Sequence, residues 1–181
     1  MRKFKQFMLL VMIGSLVTLT SCSNDDDSGD GGGGSAASGT LSAKVNGTTF
    51  QSMEISSSAT VVSAGGVNTM VIIASNSDGN AFSFTIFGFD GAGTYKLTGA
   101  DIAITNTGSY TETDIDVNNP INSTTEVWQA PYDDTEVGEI VVTEETATKV
   151  KGNFSFTCKN VNGDNSVKTI TEGAFNLDKQ S

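Results

Sequence analysis

The sequence predicts an all-β domain over residues 40–181, a single antiparallel β-sandwich or partly closed barrel, set behind a signal peptide (residues 1–21) and a flexible linker (residues 22–39). Three observations predict it. After Thr40 no window sustains a 3.6-residue apolar period, period-2 alternation of apolar and polar residues recurs, and the alternating runs are β-branched or aromatic and bounded by turn signals.

The first unit is LSAKV-NG-TTFQSM, in which Asn46-Gly47 supplies the positive φ angles of a type I′ hairpin turn. Further hairpins are predicted at Gly65-Gly66, at Asp78-Gly79 leading into NAFSFTIFGF, and at residues 161–165 (VNGDN), together forming a meander. In NAFSFTIF, Phe82, Phe84 and Ile86 share one face while Ser83 and Thr85 share the other, so one side of the strand is buried. KGNFSFTCK repeats the pattern and places Cys158 with Phe154 and Phe156, as a buried small hydrophobe and not a reactive thiolate.

Three segments carry a resemblance: AKVNGTTF at 43–50, GAGTYKLTG at 91–99, and residues 138–177 from GEIVV to GAFNL. They are similar to a family of small Bacteroidota lipoproteins of unknown function. The resemblance implies an all-β surface lipoprotein module and brings no catalytic residue with it.

The N-terminal segment fits that implication. MRKFK is a basic n-region, and residues 7–19 (FMLLVMIGSLVTL) form an apolar run too short to span a bilayer, which needs about 20 such residues. Leu19-Thr20-Ser21-Cys22 resembles the lipobox of bacterial lipoproteins, which makes Cys22 the lipidation point. Asp25, Asp26 and Asp27 resemble the acidic signal that exports such lipoproteins to the outer face of the outer membrane. Residues 29–39 (GDGGGGSAASG) then read as a flexible tether; residues 23–39 as a random coil reach roughly 23 Å. The expected localisation is the outer membrane, lipid-anchored, facing the cell exterior.

Composition narrows the chemistry. Three of the 10 bases (Arg2, Lys3, Lys5) precede Cys22, so the remainder carries a net charge of −14, which repels phosphate backbones; nucleic acid is excluded as a partner. There is no His, and Arg2 is the only Arg. Ser-His and Cys-His nucleophile pairs, imidazole metal ligands and bidentate Arg clamps are therefore absent.

Residues 106–135 break the alternation with both prolines, the only Trp and two of the three Tyr, and read as a long irregular segment on a rigid scaffold. Tyr110, Trp128 and Tyr132, with Asp133 and Asp134, are the candidate ligand-binding residues, since rings stack on sugars and carboxylates hydrogen-bond their hydroxyls. The competing reading packs Trp128 and Tyr132 against the core. Asp114, Asp116 and Asn118 have the D-x-D-x-N opening of a Ca²⁺ loop, but Asn119 and Thr125 stand where an EF-hand needs Gly and Glu, so only a looser Ca²⁺ site is left. A glycosidase needs two carboxyl groups about 5–5.5 or 6.5–9.5 Å apart, a separation that sequence does not report.

The function these observations predict is a surface-anchored binding or interaction module for an extracellular ligand, a glycan or a protein partner, with no enzymatic activity and no cofactor. The alternatives are a structural or assembly scaffold of an outer-membrane complex and, third, a carboxylate-dependent glycoside hydrolase. Because acyl chains contribute about 0.8 kcal/mol per buried CH₂, Cys22→Ala is expected to release the protein from carbonate-washed membranes. Replacing Asp25, Asp26 and Asp27 by Ala is expected to abolish protease shaving on intact cells while leaving membrane association unchanged.

Overall fold

A computed structural model of the chain describes residues 34–101 and 105–180. The signal segment, Cys22, and Asp25, Asp26 and Asp27 lie outside the described residues. The strands are β1 (Thr40–Val45), β2 (Thr48–Gln51), β3 (Ser57–Ala64), β4 (Val67–Ser75), β5 (Ala81–Phe87), β6 (Gly93–Thr98), β7 (Thr107–Asp114), β8 (Thr124–Ala130), β9 (Glu136–Glu145), β10 (Lys149–Lys159) and β11 (Val167–Gln180). Among the described residues the helical content is two 3₁₀ turns, Glu54–Ser56 and Pro120–Asn122, and no helix is long and apolar enough to cross a membrane.

The turn chemistry works as the sequence predicts. Asn46 (φ 49°) and Gly47 (φ 83°) close the β1–β2 hairpin, and the Asn46 Oδ1 accepts a 2.8 Å hydrogen bond from the Thr169 amide. Gly65-Gly66 joins β3 to β4, Asp78-Gly79 lies between β4 and β5, and residues 161–165 join β10 to β11. The strands do not continue as a meander, however. One layer runs β3-β4-β5-β7-β8 and the other β2-β1-β11-β10-β9-β6, because β6 leaves its neighbours to pair with β9 and the last strand returns between β1 and β10.

Two narrow seams join the layers: a single β8–β10 pairing at Gln129 and Lys159, and two parallel pairings of β11 with β3 at Ala59 and Thr60. The latter departs from the purely antiparallel expectation. Between the seams the layers face each other through aromatic rings: Phe82 and Phe84 of β5 lie 5.5 and 4.8 Å, centroid to centroid, from Phe154 of β10, and Phe84 lies 5.9 Å from Phe156. These strands are not hydrogen-bonded neighbours, so the contacts cross the space between layers and the fold is sandwich-like. The inward positions read from NAFSFTIF and KGNFSFTCK are the buried ones, Cys158 included.

β11 requires an irregularity. Ile170 and Phe175 are both buried although an odd number of positions separates them, which strict alternation forbids. The register supplies the missing step: Ile170 pairs with Phe156 and Gly173 with Phe154, so Thr171 and Glu172 together oppose Ser155 as a β-bulge. Glu172 takes φ 51° there, and a Cβ on Gly173 would meet the Phe154 ring at 2.5 Å. The described body also begins before Thr40: Ala36 is buried, its carbonyl accepts a 3.5 Å hydrogen bond from Asn176 Nδ2, and the Gly39 amide donates to the Asn176 backbone carbonyl at 2.7 Å. The tract thus loses its linker character some residues earlier than composition suggests.

The outer faces of the two layers differ in chemistry. Lys44–Glu172, Lys96–Glu136, Lys149–Asp178, Lys151–Glu144 and Lys179–Glu145 ion pairs, at 2.6–3.0 Å, all join strands of the second layer. On the first layer every outward position from Ser58 on β3 to Gln129 on β8 is Ser, Thr, Ala, Val, Ile, Phe or Gln.

Since Phe84 is fully buried between the layers, Phe84→Ala is expected to lower the unfolding free energy by about 3–5 kcal/mol, read from the urea midpoint. Burial raises the Cys158 thiol from 9.0 to about 12, against the smaller opposing effect of Lys168. The unfolded thiol ionises above pH 9 while the native one stays protonated, so this contribution to stability is full below pH 9 and falls as pH rises towards 12. Cys158 is accordingly expected to resist thiol reagents at pH 8 in the native protein and to react at once in denaturant.

Candidate functional site

Residues 106–135 are not an irregular loop. They fold as the β7–β8 hairpin, with Tyr110 opposite Trp128 and Glu112 opposite Glu126. The strands run past the edge of the apolar core, so at their outer ends the inward face carries Glu112, Asp114, Thr124 and Glu126 and the outward face mostly Thr, which leaves no apolar alternation for a sequence reading to detect. The two aromatics are correspondingly core residues: Tyr110 is 4% and Trp128 3% exposed, with ring centroids 6.2 Å apart. Trp128 Nε1 donates to Ser166 Oγ at 2.9 Å, which satisfies the buried indole, and its ring is covered by Lys168, whose Nζ sits 4.0 Å from the centroid. Neither ring face is free to stack on a sugar, which corrects the expectation for these two residues.

What they support is a polar site at one open end of the sandwich. Lys168 reaches across the layers from β11 to Glu112 on β7, Nζ to Oε1 2.8 Å, with its side chain 15% exposed and Tyr110 at 5.7 Å. Burial, followed by the Glu112 charge, pushes the Tyr110 phenol above its ordinary value, so it stays a neutral hydroxyl. Around this pair lies a groove of about 280 Å³, closed on one side by the β1–β2 hairpin with Asn46 and Thr48 and on the other by Asn76, Asp78 and Asn80 of the β4–β5 connection. A shallower depression lined by Thr113, Asp114 and Glu126 adjoins it through Asn80 and Glu112, which border both.

The walls are set by local hydrogen bonds. Asn76 Oδ1 accepts from the Asp78 and Asn80 amides at 3.0 and 2.9 Å, holding the connection in a tight turn, and Asn80 Oδ1 accepts from the Thr113 amide at 3.0 Å, docking that turn on β7. Carboxylate, amide and hydroxyl groups therefore converge on one concavity over an aromatic floor of Phe50 and Tyr110. A second groove of about 210 Å³ lies beside the β11 bulge, but its lining offers fewer converging polar groups.

The other predicted residues lie elsewhere. Tyr132, Asp133 and Asp134 follow Ala130, past the end of β8 that leads away from Glu126 and the groove. Tyr132 is half-buried with its hydroxyl 3.4 Å from Thr157 Oγ1. The Asp133 carboxylate is held below its ordinary range by the Thr135 hydroxyl and amide. Asp134 is exposed, and its backbone carbonyl accepts from Thr98 Oγ1 at 2.9 Å. Asp114 ends β7, and Asp116 spends its carboxylate inside the loop: Oδ1 accepts from the Asn119 and Asn118 amides at 2.9 Å, which lowers its pKa. Among the described residues no group of three or more His, Cys, Asp or Glu side chains is arranged to hold a metal ion.

Sequence reading missed the residues that do converge. Asn46 and Asp78 read only as turn formers, and Lys168 only as a strand residue; the one available signal was a base and an acid, Lys168 and Glu112, at inward positions near strand ends.

No curated protein and no solved structure matches the chain. Residues 37–177, nearly the whole described body, match the family described as a domain of unknown function (DUF6252), and the chain belongs to that family.

Proposed function

We propose that the protein is a lipoprotein, anchored in the outer membrane through Cys22, whose all-β domain binds a neutral, hydroxyl-rich ligand such as the end of a glycan in the groove around Glu112 and Lys168. The observation that carries this reading is the convergence of Asn46, Asp78, Asn80, Tyr110, Glu112 and Lys168 on one concavity. Such a site recognises by hydrogen bonding, since acids accept and amides and hydroxyls do both. Charge selects the ligand further. The one ammonium is already paired with Glu112, Asp78 adds an unpaired negative charge, and the chain beyond Cys22 carries −14, so phosphorylated, sulfated or sialylated ligands are disfavoured.

Placement supports the same reading. The chain enters β1 at Thr40, beside Asn176, and reaches the groove only at Asn46, after the full length of the strand. The groove therefore lies at the end of β1 opposite the chain's entry into the sheet. Binding and not hydrolysis is favoured because the Glu112 carboxylate is held by the Lys168 ammonium at 2.8 Å.

The test is an oligosaccharide array probed with the full-length, detergent-purified protein and with Asp78→Ala and Glu112→Gln. The expected result is binding to neutral glycans that falls at least about 10-fold in each variant, with an unchanged thermal midpoint. Absence of glycan binding, or binding indifferent to both changes, overturns the reading, and release of shortened products would replace it with hydrolysis.

A further inference from the structure

The chain carries a second surface that the groove does not use. The outer face of the β3-β4-β5-β7-β8 layer has no charged residue at any outward strand position, in a chain whose net charge past Cys22 is −14. The contrast with the other layer is complete, since five ion pairs lie among the strands of that layer. The face is not merely polar. Val62, Ile73 and Phe87 stand out from it at 54%, 52% and 38% exposure, and Val67 and Val127 are exposed as well. On β3 and β4 the apolar positions are interspersed with Ser and Thr, Phe87 ends β5 and Val127 stands on β8, while β7 between them presents only Ser and Thr.

We infer that this face is where two copies of the chain pair, layer on layer. Electrostatics singles out the occupant. Two bodies of the same strong negative charge repel wherever acids face acids, so a contact between copies is confined to a surface without charge, and this is the surface the fold leaves uncharged. A basic partner would gain nothing from it. A face with period-2 side chains is also self-complementary: related by a two-fold axis, the Val and Ile of one copy settle between the Ser and Thr of the other, at the roughly 10 Å spacing of packed sheets.

Size sets the strength. Five strands about 4.8 Å apart and about seven residues long at 3.3 Å per residue span about 550 Å² per copy, or about 1,100 Å² in all. That lies just below the range of stable interfaces, so pairing is weak in dilute solution and is reinforced where copies share a membrane and their effective concentration rises. The membrane contribution rests on the anchoring proposed above; the pairing itself does not.

The experiment uses the full-length protein in two arms. Thr85 lies on the outward side of β5, the middle strand of the layer, so Thr85→Cys is expected to give a disulfide-linked dimer on mild oxidation of intact membranes, whereas Lys96→Cys on the other layer is not. In detergent, sedimentation is expected to show a concentration-dependent dimer that Ile73→Glu weakens at least about 10-fold at an unchanged thermal midpoint. A monomer at every concentration, no disulfide from Thr85→Cys, or a cross-link from it to a different protein or to polysaccharide overturns the proposal. Asp78→Ala is expected to leave the dimer intact and Ile73→Glu to leave the groove intact, so failure of pairing and failure of ligand binding are separate results.

Discussion

The structure depends on one extra residue in its last strand. β11 hydrogen-bonds to β1, β10 and β3, and it must present Ile170, Phe175 and Leu177 to the interior to do so. Without the bulge at Thr171 and Glu172, alternation from Ile170 would carry Glu172, Ala174 and Asn176 inward and turn Phe175 and Leu177 to solvent. The bulge costs a left-handed residue at Glu172, whose carboxylate pairs with Lys44 at 2.7 Å, and it demands glycine at 173, where the Phe154 ring occupies the space of a Cβ. The ring packing of Phe154 against Phe82 and Phe84 follows from that vacated volume.

Charge is sorted by layer. Lys44, Lys96 and Lys151 of the second layer are paired across strands, where each mostly exposed pair contributes little, and Lys96 with Glu136 keeps the edge strand β6 polar. Lys168 differs in that its pair joins the layers, and it screens the Trp128 face that sequence reading offered to a sugar. One side chain thus converts the expected aromatic platform into the support of a polar groove.

The fold was legible where chemistry is local and periodic. Asn46-Gly47, the Phe82-Phe84-Ile86 series and Phe154-Phe156-Cys158 give turn and inward face directly, because turn conformation and side-chain parity are properties of neighbouring residues. The bulge at Glu172 was not read, although the odd spacing of Ile170 and Phe175 is its trace. The site was legible in its parts and not in its assembly: Asn46, Asp78, Glu112 and Lys168 come from four separate segments, and only the layer topology brings them to one end. Trp128 and Tyr110 misled because composition reports that a segment is rich in aromatics and acids but not which way alternate residues point.

Pairing between the first and last strands also governs when the domain can form. β1 has β2 beside it at once, but its other edge waits for β11, and the seam at Ala59 and Thr60 waits for Lys179 and Gln180, the last described residues. No stretch short of the whole domain closes the core, and the decisive contacts are among those most distant along the chain, a topology that folds slowly. For a chain exported as proposed above, that delay gives time: while β11 is still emerging, the strands already made have no finished interior to collapse around, and the polypeptide remains a thread.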